Sequence, residues 1–349
     1  MIKRKIAGEI EISRIGMGCW AFGGGEYWGK QNQKDVETVV NKALDSGVNF
    51  FDTARMYNAG QSEKSLGLAL KSRRHEAVIC SKVSPAKAYY KTLKEECEIS
   101  LKNLCTDYLD IYMMHWPINE FGVRHFTSDP EIIADPPTAE EAFKALSDLK
   151  KEGKIRAIGV SNYGVAQMKE ALSLCPDISA NELTYNIISR AIEAEILPFC
   201  KNNKVSLFTS MTLMQGVLTG RYAKLEDIPA YQARSRHFKN ERSLGLSRHY
   251  ENGAEDELIE VLKALNEISA NSGISVAQLA IAWVFANEAV DCALLGCRNE
   301  AELIENIKAS EIKLEADIVA QINALSLPIL KKLGNNADYY ENDKNSRIY

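Results

Sequence analysis

The chain of 349 residues is long enough for two average domains or for one large α/β barrel, so the order of its elements must decide. Apolar residues make up 46% and charged residues 26%, with 9 prolines, a balance that excludes a disordered chain and provides for a large core. The formal net charge of -5 gives no general attraction for nucleic acid or anionic membrane, and no apolar run approaches the roughly 20 residues of a membrane span.

The opening stretch MIKRKIAGEIEIS lacks the apolar centre of a signal peptide, so a cytoplasmic chain is expected. Within it, RKIAGEIEIS alternates around Gly8 and predicts a hairpin at the bottom of the fold. Eight short apolar runs bounded by turn residues follow: IGMGCW, VNFFDT, AVICSKV, YLDIYMMHW, IRAIGVSN, ISANELTYN, KVSLFTS and CALLGC. Helix-period segments lie between them, among them KDVETVVNKALDSG, KTLKEECEISLKNL, AEEAFKALSDLKKEG and VAQMKEALSLC. Fully apolar strands alternating with amphipathic helices imply a covered parallel sheet, and eight such units imply a closed (β/α)8 barrel occupying residues 1–349 as a single domain. A doubly wound sheet would usually show a Gly-x-Gly-x-x-Gly turn opening a helix, and FGGGEYWGK after the first strand does not supply one.

Two segments exceed minimal barrel connections: residues 119–138 after the fourth barrel strand and 221–253 after the seventh. Both follow strand ends, where barrel active sites are built, and are expected to be loops over the site. The tail, taken as 329–349 with Tyr339, Tyr340 and Tyr349, either frays or reaches the barrel mouth. Eight cysteines without a Cys-x-x-Cys pair read as reduced thiols of the core, with no metal site.

Three consecutive strands end in ionisable residues: Asp52 closes VNFFD, Lys82 closes AVICSK and His115 closes IYMMH. Taken singly, Lys82 could reach to solvent and His115 could be an ordinary core residue. Together, with Tyr57 just beyond the first strand, they should converge on one cavity. A buried ammonium requires a partner, so Lys82 needs Asp52 beside it. A phenol near that cation is expected to titrate below its free value and to serve as proton donor or acceptor, while His115 orients a carbonyl oxygen. No activated Ser or Cys accompanies the set, so the attacking group must be brought in, which points to hydride from a cofactor.

At this point FFDTARMYNAGQSEKSLG, SKV, MMHWP, GKIRAIGVSN, QGVLTGRY and LLGCRNEAELIENI together resemble the aldo-keto reductases, in the correct order over nearly the whole chain. The resemblance implies a (β/α)8 barrel that binds NADPH, or NAD(H), and reduces aldehydes or ketones, sugar-like or small, with Asp52, Tyr57, Lys82 and His115 as a tetrad and Tyr57 as general acid. It further implies that Ser161 and Asn162 hold the nicotinamide carboxamide, with Cys19 and Trp20 nearby. Leu213 to Tyr222, including Gly216 and Arg221, would close over the pyrophosphate, aided by Arg221 or Arg236. Gly296 and Arg298 would bind phosphate, Arg298 favouring NADP, with Glu302, Glu305 and Asn306 near the adenine. Trp20, Tyr27, Trp28, Trp116 and His125 would supply the substrate wall.

Two positions depart from the family pattern. Glu182 stands where a Gln is usual, and an ionised carboxylate there should favour the oxidised, cationic nicotinamide. Ser210 stands where an aromatic ring usually stacks on the nicotinamide, with Phe208 as a substitute ring. Glu302 also replaces a usual Gln, which weakens the NADP preference. These departures keep open a redox-neutral enzyme using tightly held cofactor for isomerisation, epimerisation or elimination on a sugar. A nicotinamide-binding regulatory subunit is a third reading. The partner in the first two is a small carbonyl or sugar, and either a monomer or a homo-oligomer is compatible with the sequence.

Overall fold

The computed structural model describes residues 1–222 and 224–349. A hairpin of β1 (Lys3–Ile6) and β2 (Ile10–Ser13) precedes the barrel strands β3 (Ile15–Gly18), β4 (Phe50–Asp52), β5 (Val78–Val83), β6 (Leu109–Met114), β7 (Ile155–Ser161), β8 (Ile178–Thr184), β9 (Ser206–Ser210) and β10 (Val290–Leu295). The eight run parallel in sequence order and close through pairing of β10 with β3. The helices are α1 (Gln33–Asp45), α2 (Gln61–Leu70), α3 (Tyr90–Asn103), α4 (Glu120–Phe126), α5 (Pro130–Ala134), α6 (Ala139–Lys151), α7 (Val165–Leu174), α8 (Ile196–Asn202), α9 (Glu255–Ser272), α10 (Val276–Ala286), α11 (Glu300–Glu311) and α12 (Ala316–Leu333).

Strand alternation sorts side chains into two cores. Inward residues Phe50, Val78, Cys80, Ile111, Met113, Ala157, Ala180, Phe208, Cys292 and Leu294 fill the barrel, and Ile6, Ile10 and Ile12 of the hairpin close its bottom. Small residues make room for the large ones. A Cβ on Gly16 would lie 2.6 Å from Leu294 and 2.8 Å from Phe50, and one on Gly159 would lie 2.9 Å from Met113. Outward residues pack against the helices in the larger core.

The hairpin, all eight strands and the barrel closure match the sequence reading. Two details differ. Residues 119–138 contain α4 and α5 instead of irregular loop, because Asn119 and Asp129 cap helix starts through their side chains. As expected of a loop, the described residues of 221–253 are largely irregular, with 3-10 turns at Leu225–Asp227 and Asn240–Ser243. The tail does not begin at 329: α12 runs on to Leu333 through Pro328, whose missing N–H costs one hydrogen bond that outer packing tolerates.

From Gly334 onward the tail docks. Asp338 and Arg347 are buried and joined by two side-chain hydrogen bonds of 2.9 and 2.6 Å, and Asn119 donates to the Arg347 carbonyl. No single helix among the described residues is long and apolar enough to cross a membrane. All eight cysteines are unpaired thiols, and Cys105 is the exposed one.

Candidate active site

The inward rows of the barrel continue upward from apolar to ionisable residues. Two residues above Phe50 stands Asp52, two above Cys80 stands Lys82, two above Met113 stands His115, and two above Ala180 stands Glu182. The register aligns Asp52 with Cys80, Lys82 with Met113 and Ser161 with Glu182, so these groups crown the barrel interior at its C-terminal end.

Lys82 Nζ is hydrogen-bonded to Asp52 Oδ1, donates to the Thr53 carbonyl at 3.2 Å, and lies 3.2 Å from Glu182 Oε2. The Glu182 contact lacks hydrogen-bond geometry, and Oε2 is left as a buried oxygen without a donor. Lys82, Asp52 and Glu182 are 1, 3 and 4% exposed, so the cluster has little access to water. Burial alone would lower the Lys82 pKa, but Asp52 and Glu182 outweigh it and hold the ammonium well above its ordinary value. Asp52 is shifted upward by burial, with Lys82 opposing. Glu182 is pushed up to about 8 by burial first and Asp52 second, with Lys82 opposing. The carboxylate anticipated at this position therefore carries a proton around neutral pH.

Tyr57 follows Asp52 on a 3-10 turn, where Asn58 and Ala59 have left-handed φ values of 48° and 52°. Asn58 holds this turn by donating to the carbonyls of Trp20 and Phe22, each at 3.1 Å. The Tyr57 ring centroid lies 5.3 Å from Lys82 Nζ and 5.6 Å from the His115 ring. Contrary to the expectation of a lowered phenol, burial raises Tyr57 more than Lys82 lowers it. The ring is half-buried, which moderates that rise. His115 is held well below its ordinary pKa by burial, and then by Lys82 and Arg347, so the imidazole is neutral. Its Nδ1 has no protein partner.

Ser161 is buried at the end of β7, and Asn162 has a left-handed φ of 63°, with its amide directed to the His115 carbonyl and Ser161 Oγ. Ser210 is partly exposed at the end of β9. Phe208 cannot replace the absent ring, since it faces the barrel core, 5.1 Å from Phe50. Cys19 is buried above β3 and donates to the Met17 carbonyl.

Trp20 stacks with Tyr27, at 5.0 Å, and with Tyr57, at 5.8 Å, while Trp28 meets it edge-on at 5.3 Å. The Arg347 guanidinium covers Trp116 at 3.6 Å. Trp20 and Trp116 are thus already engaged by other side chains, and His125 is exposed at the end of α4 against Phe126. Tyr27 also donates to Gln215 Oε1, and Gln215 donates to Tyr340, so the first barrel loop, the loop after β9 and the tail meet over the mouth. Tyr339 is buried, and Tyr349 bonds the Asn335 carbonyl.

Around the phosphate positions, Gly296 is open, with only the Gly18 carbonyl 4.0 Å from a notional Cβ. Arg298 is tied to Gln31 Oε1 and the Lys30 carbonyl, while its backbone N–H donates to Glu302 at 2.8 Å. Glu305 bonds Lys308 and Gln278, and Asn306 is buried against Cys297 Sγ. Gly216 and Arg221 lie together, and a Cβ on Gly216 would meet the Arg221 guanidinium at 3.0 Å; Leu213 begins that turn. Arg236 is not available to this region, since it is buried on Glu251 and the Leu333 and Asn336 carbonyls. The donor-poor Glu182 oxygen, the open glycine and the adjacent cations fit a dinucleotide running from the barrel centre to the start of α11. Sequence reading missed Asn58, Asp338 and Arg347, whose roles depend on long-range contacts.

The Aldo/keto reductase family model matches residues 14–327. The chain is 32% identical over 308 residues to Aldo-keto reductase YhdN of Bacillus subtilis (strain 168), covering 84% of each chain. It is 30% identical to an NADH-specific methylglyoxal reductase of Escherichia coli (strain K12), covering 88% of this chain and 92% of that one. The structure of an aldo-keto reductase from Klebsiella pneumoniae in complex with NADPH superposes with a TM-score of 0.70 at 26% identity, over 93% of this chain and 96% of that one.

Proposed function

Given that the chain belongs to the aldo/keto reductase family, we propose that it reduces an aldehyde or ketone to the alcohol with NADPH, NADH being the alternative donor, and with Tyr57 as general acid. The observation that carries this reading is the buried Lys82 ammonium, paired with Asp52 and 5.3 Å from the Tyr57 ring, beside a neutral His115 with a free ring nitrogen. The nicotinamide supplies a hydride to the carbonyl carbon when bound.

The chain's own groups do the rest. His115 donates a hydrogen bond to the carbonyl oxygen and makes the carbon more electrophilic. Tyr57 delivers a proton to that oxygen, and Lys82 stabilises the phenolate left behind. Asp52 keeps Lys82 charged and in place. Ser161, Asn162 and Glu182 hold the carboxamide end, and Gly216, Arg221, Gly296 and Arg298 hold the phosphates. The E. coli relative's activity and the Klebsiella structure's ligand support a small carbonyl substrate and a nicotinamide donor.

The test is to incubate the protein with NADPH or NADH and a panel from methylglyoxal to aldoses and aryl aldehydes, and identify the products. An alcohol formed in step with loss of 340 nm absorbance supports the reading. Glu182 and Ser210 favour a second reading, redox-neutral conversion of a sugar with retained cofactor. It predicts altered sugar without net absorbance change.

A further inference from the structure

At the top of the barrel interior two carboxyl groups share one ammonium. Asp52 holds Lys82 by a hydrogen bond, whereas Glu182 touches it at 3.2 Å without one and keeps a buried oxygen free of donors. With all three ionised, the cluster would carry one net negative charge that water screens poorly. That charge is repelled by nothing when a cation lies beside it, and is costly when the neighbour is neutral.

We propose that Glu182 is a proton-binding group coupled to the redox state of the cofactor, protonated beside the neutral reduced nicotinamide and ionised beside the cationic oxidised ring. This rests on the preceding reading that a nicotinamide lies against Glu182. Binding of oxidised cofactor to the protonated site then releases one proton to solution. During reduction the hydride goes to the carbonyl carbon and the Tyr57 proton to its oxygen. The Glu182 proton makes good the one Tyr57 has given up, leaving alcohol, oxidised cofactor, neutral Tyr57 and ionised Glu182.

The titratable groups around Glu182 are Asp52 on β4, Cys80 and Lys82 on β5, Tyr57 beyond β4 and Cys292 on β10. Burial raises the two thiols and the phenol, so they keep their protons, and Lys82 keeps its charge. The exchangeable proton therefore belongs to the Asp52–Glu182 pair. Asp52 has the hydrogen bond to Lys82 and is the better stabilised anion, which assigns the proton to Glu182.

The test measures dissociation constants of NADP⁺ and NADPH by intrinsic tryptophan fluorescence from pH 6 to pH 9, for the full chain and for Glu182→Gln. Titration of the nucleotide phosphates is common to both forms and cancels in the ratio. The expected result is that Kd(NADP⁺)/Kd(NADPH) falls on the order of tenfold as pH rises, and that Glu182→Gln abolishes the slope. Calorimetry of NADP⁺ binding to the unaltered protein, in two buffers of different ionisation heat, should count about half a proton released per nucleotide between pH 7 and pH 8, the amount a tenfold coupling gives. A flat ratio, or no proton released, with both nucleotides bound would overturn the inference alone. Failure of both NADP(H) and, in the same assay, NAD(H) to bind would overturn the proposed function and the inference with it.

Discussion

The guanidinium of Arg347 lies 3.6 Å from the ring centroid of Trp116, the residue next to His115, while two of its nitrogens are committed to Asp338. The tail is thereby fastened to the strand end that carries His115 through the guanidinium stacked on Trp116, and the buried Asp338–Arg347 pair, both partners of which lie in the tail, holds that guanidinium in place. Losing one partner of such a pair leaves the other charge uncompensated, at a typical cost of about 3–5 kcal/mol. Arg347→Ala should lower the thermal midpoint sharply, and should cost more than the Arg347→Met, Asp338→Leu double variant in which neither charge remains. Equal losses in the two proteins would show that the pair's charges are not what holds the tail.

The same pair gives an acid dependence. Burial tends to raise Asp338, but Arg347 outweighs it, so its folded pKa lies below the ordinary carboxylate value. A depressed carboxyl contributes stability above its unfolded pKa of about 4, lost as pH falls through the folded value. The denaturant midpoint of the unaltered protein should therefore fall relative to that of the double variant as pH is taken from 6 towards 3.

Glu182 has the opposite sign. Its folded pKa of about 8 lies above the unfolded carboxyl value, so its contribution is fully present below about pH 4.3 and is lost as pH rises through 8. Glu182→Gln removes that pH-dependent loss. The variant's stability relative to the parent should grow between pH 5 and pH 8.5, by an amount on the order of 1–3 kcal/mol in urea unfolding. A difference that does not change with pH would mean Glu182 is not a protonated buried acid.

His115 is predicted to act as a neutral hydrogen-bond donor. Because its pKa is held below the ordinary imidazole value, activity should show no loss attributable to its protonation near pH 6.5. Nitrogen NMR of the ring should show an uncharged imidazole at pH 6. His115→Ala should lower kcat/KM on the order of a hundredfold, with NADPH binding unchanged. A charged ring at that pH would contradict the assignment.

Cofactor choice should follow two residues at the start of α11. Glu302 brings a carboxylate onto the Arg298 backbone N–H, where an anionic ligand would otherwise be attracted. Glu302→Gln should shift the preference several-fold from NADH towards NADPH, and Arg298→Ala about tenfold or more the other way, as read from separate KM values. Variants that change both KM values equally would place the 2′-phosphate elsewhere.

The barrel was legible because its strands are apolar on both faces and its helices keep a clear period, so chain order and topology followed from pattern alone. Asp52, Lys82 and His115 were legible for a related reason: each stands at the end of an apolar strand, two residues above a core residue on the same inward row. The tail was not. Pro328 reads as a helix end but is tolerated inside α12, and the Asp338–Arg347 pair depends on where a chain end lands. The direction of the Tyr57 shift was also hidden, since it depends on how far burial outweighs the nearby Lys82, and no spacing encodes that balance. Phe208 looked able to replace a missing ring until strand alternation placed it in the barrel core.

The central claim is that Tyr57 supplies the proton in a nicotinamide-dependent carbonyl reduction. Its most direct test compares the parent and Tyr57→Phe in single-turnover oxidation of bound NADPH by an aldehyde, with NADPH affinity measured alongside by fluorescence. The account predicts unchanged affinity and a rate lower by about a hundredfold or more in the variant. Equal rates in the two proteins, with NADPH bound to both, would contradict it.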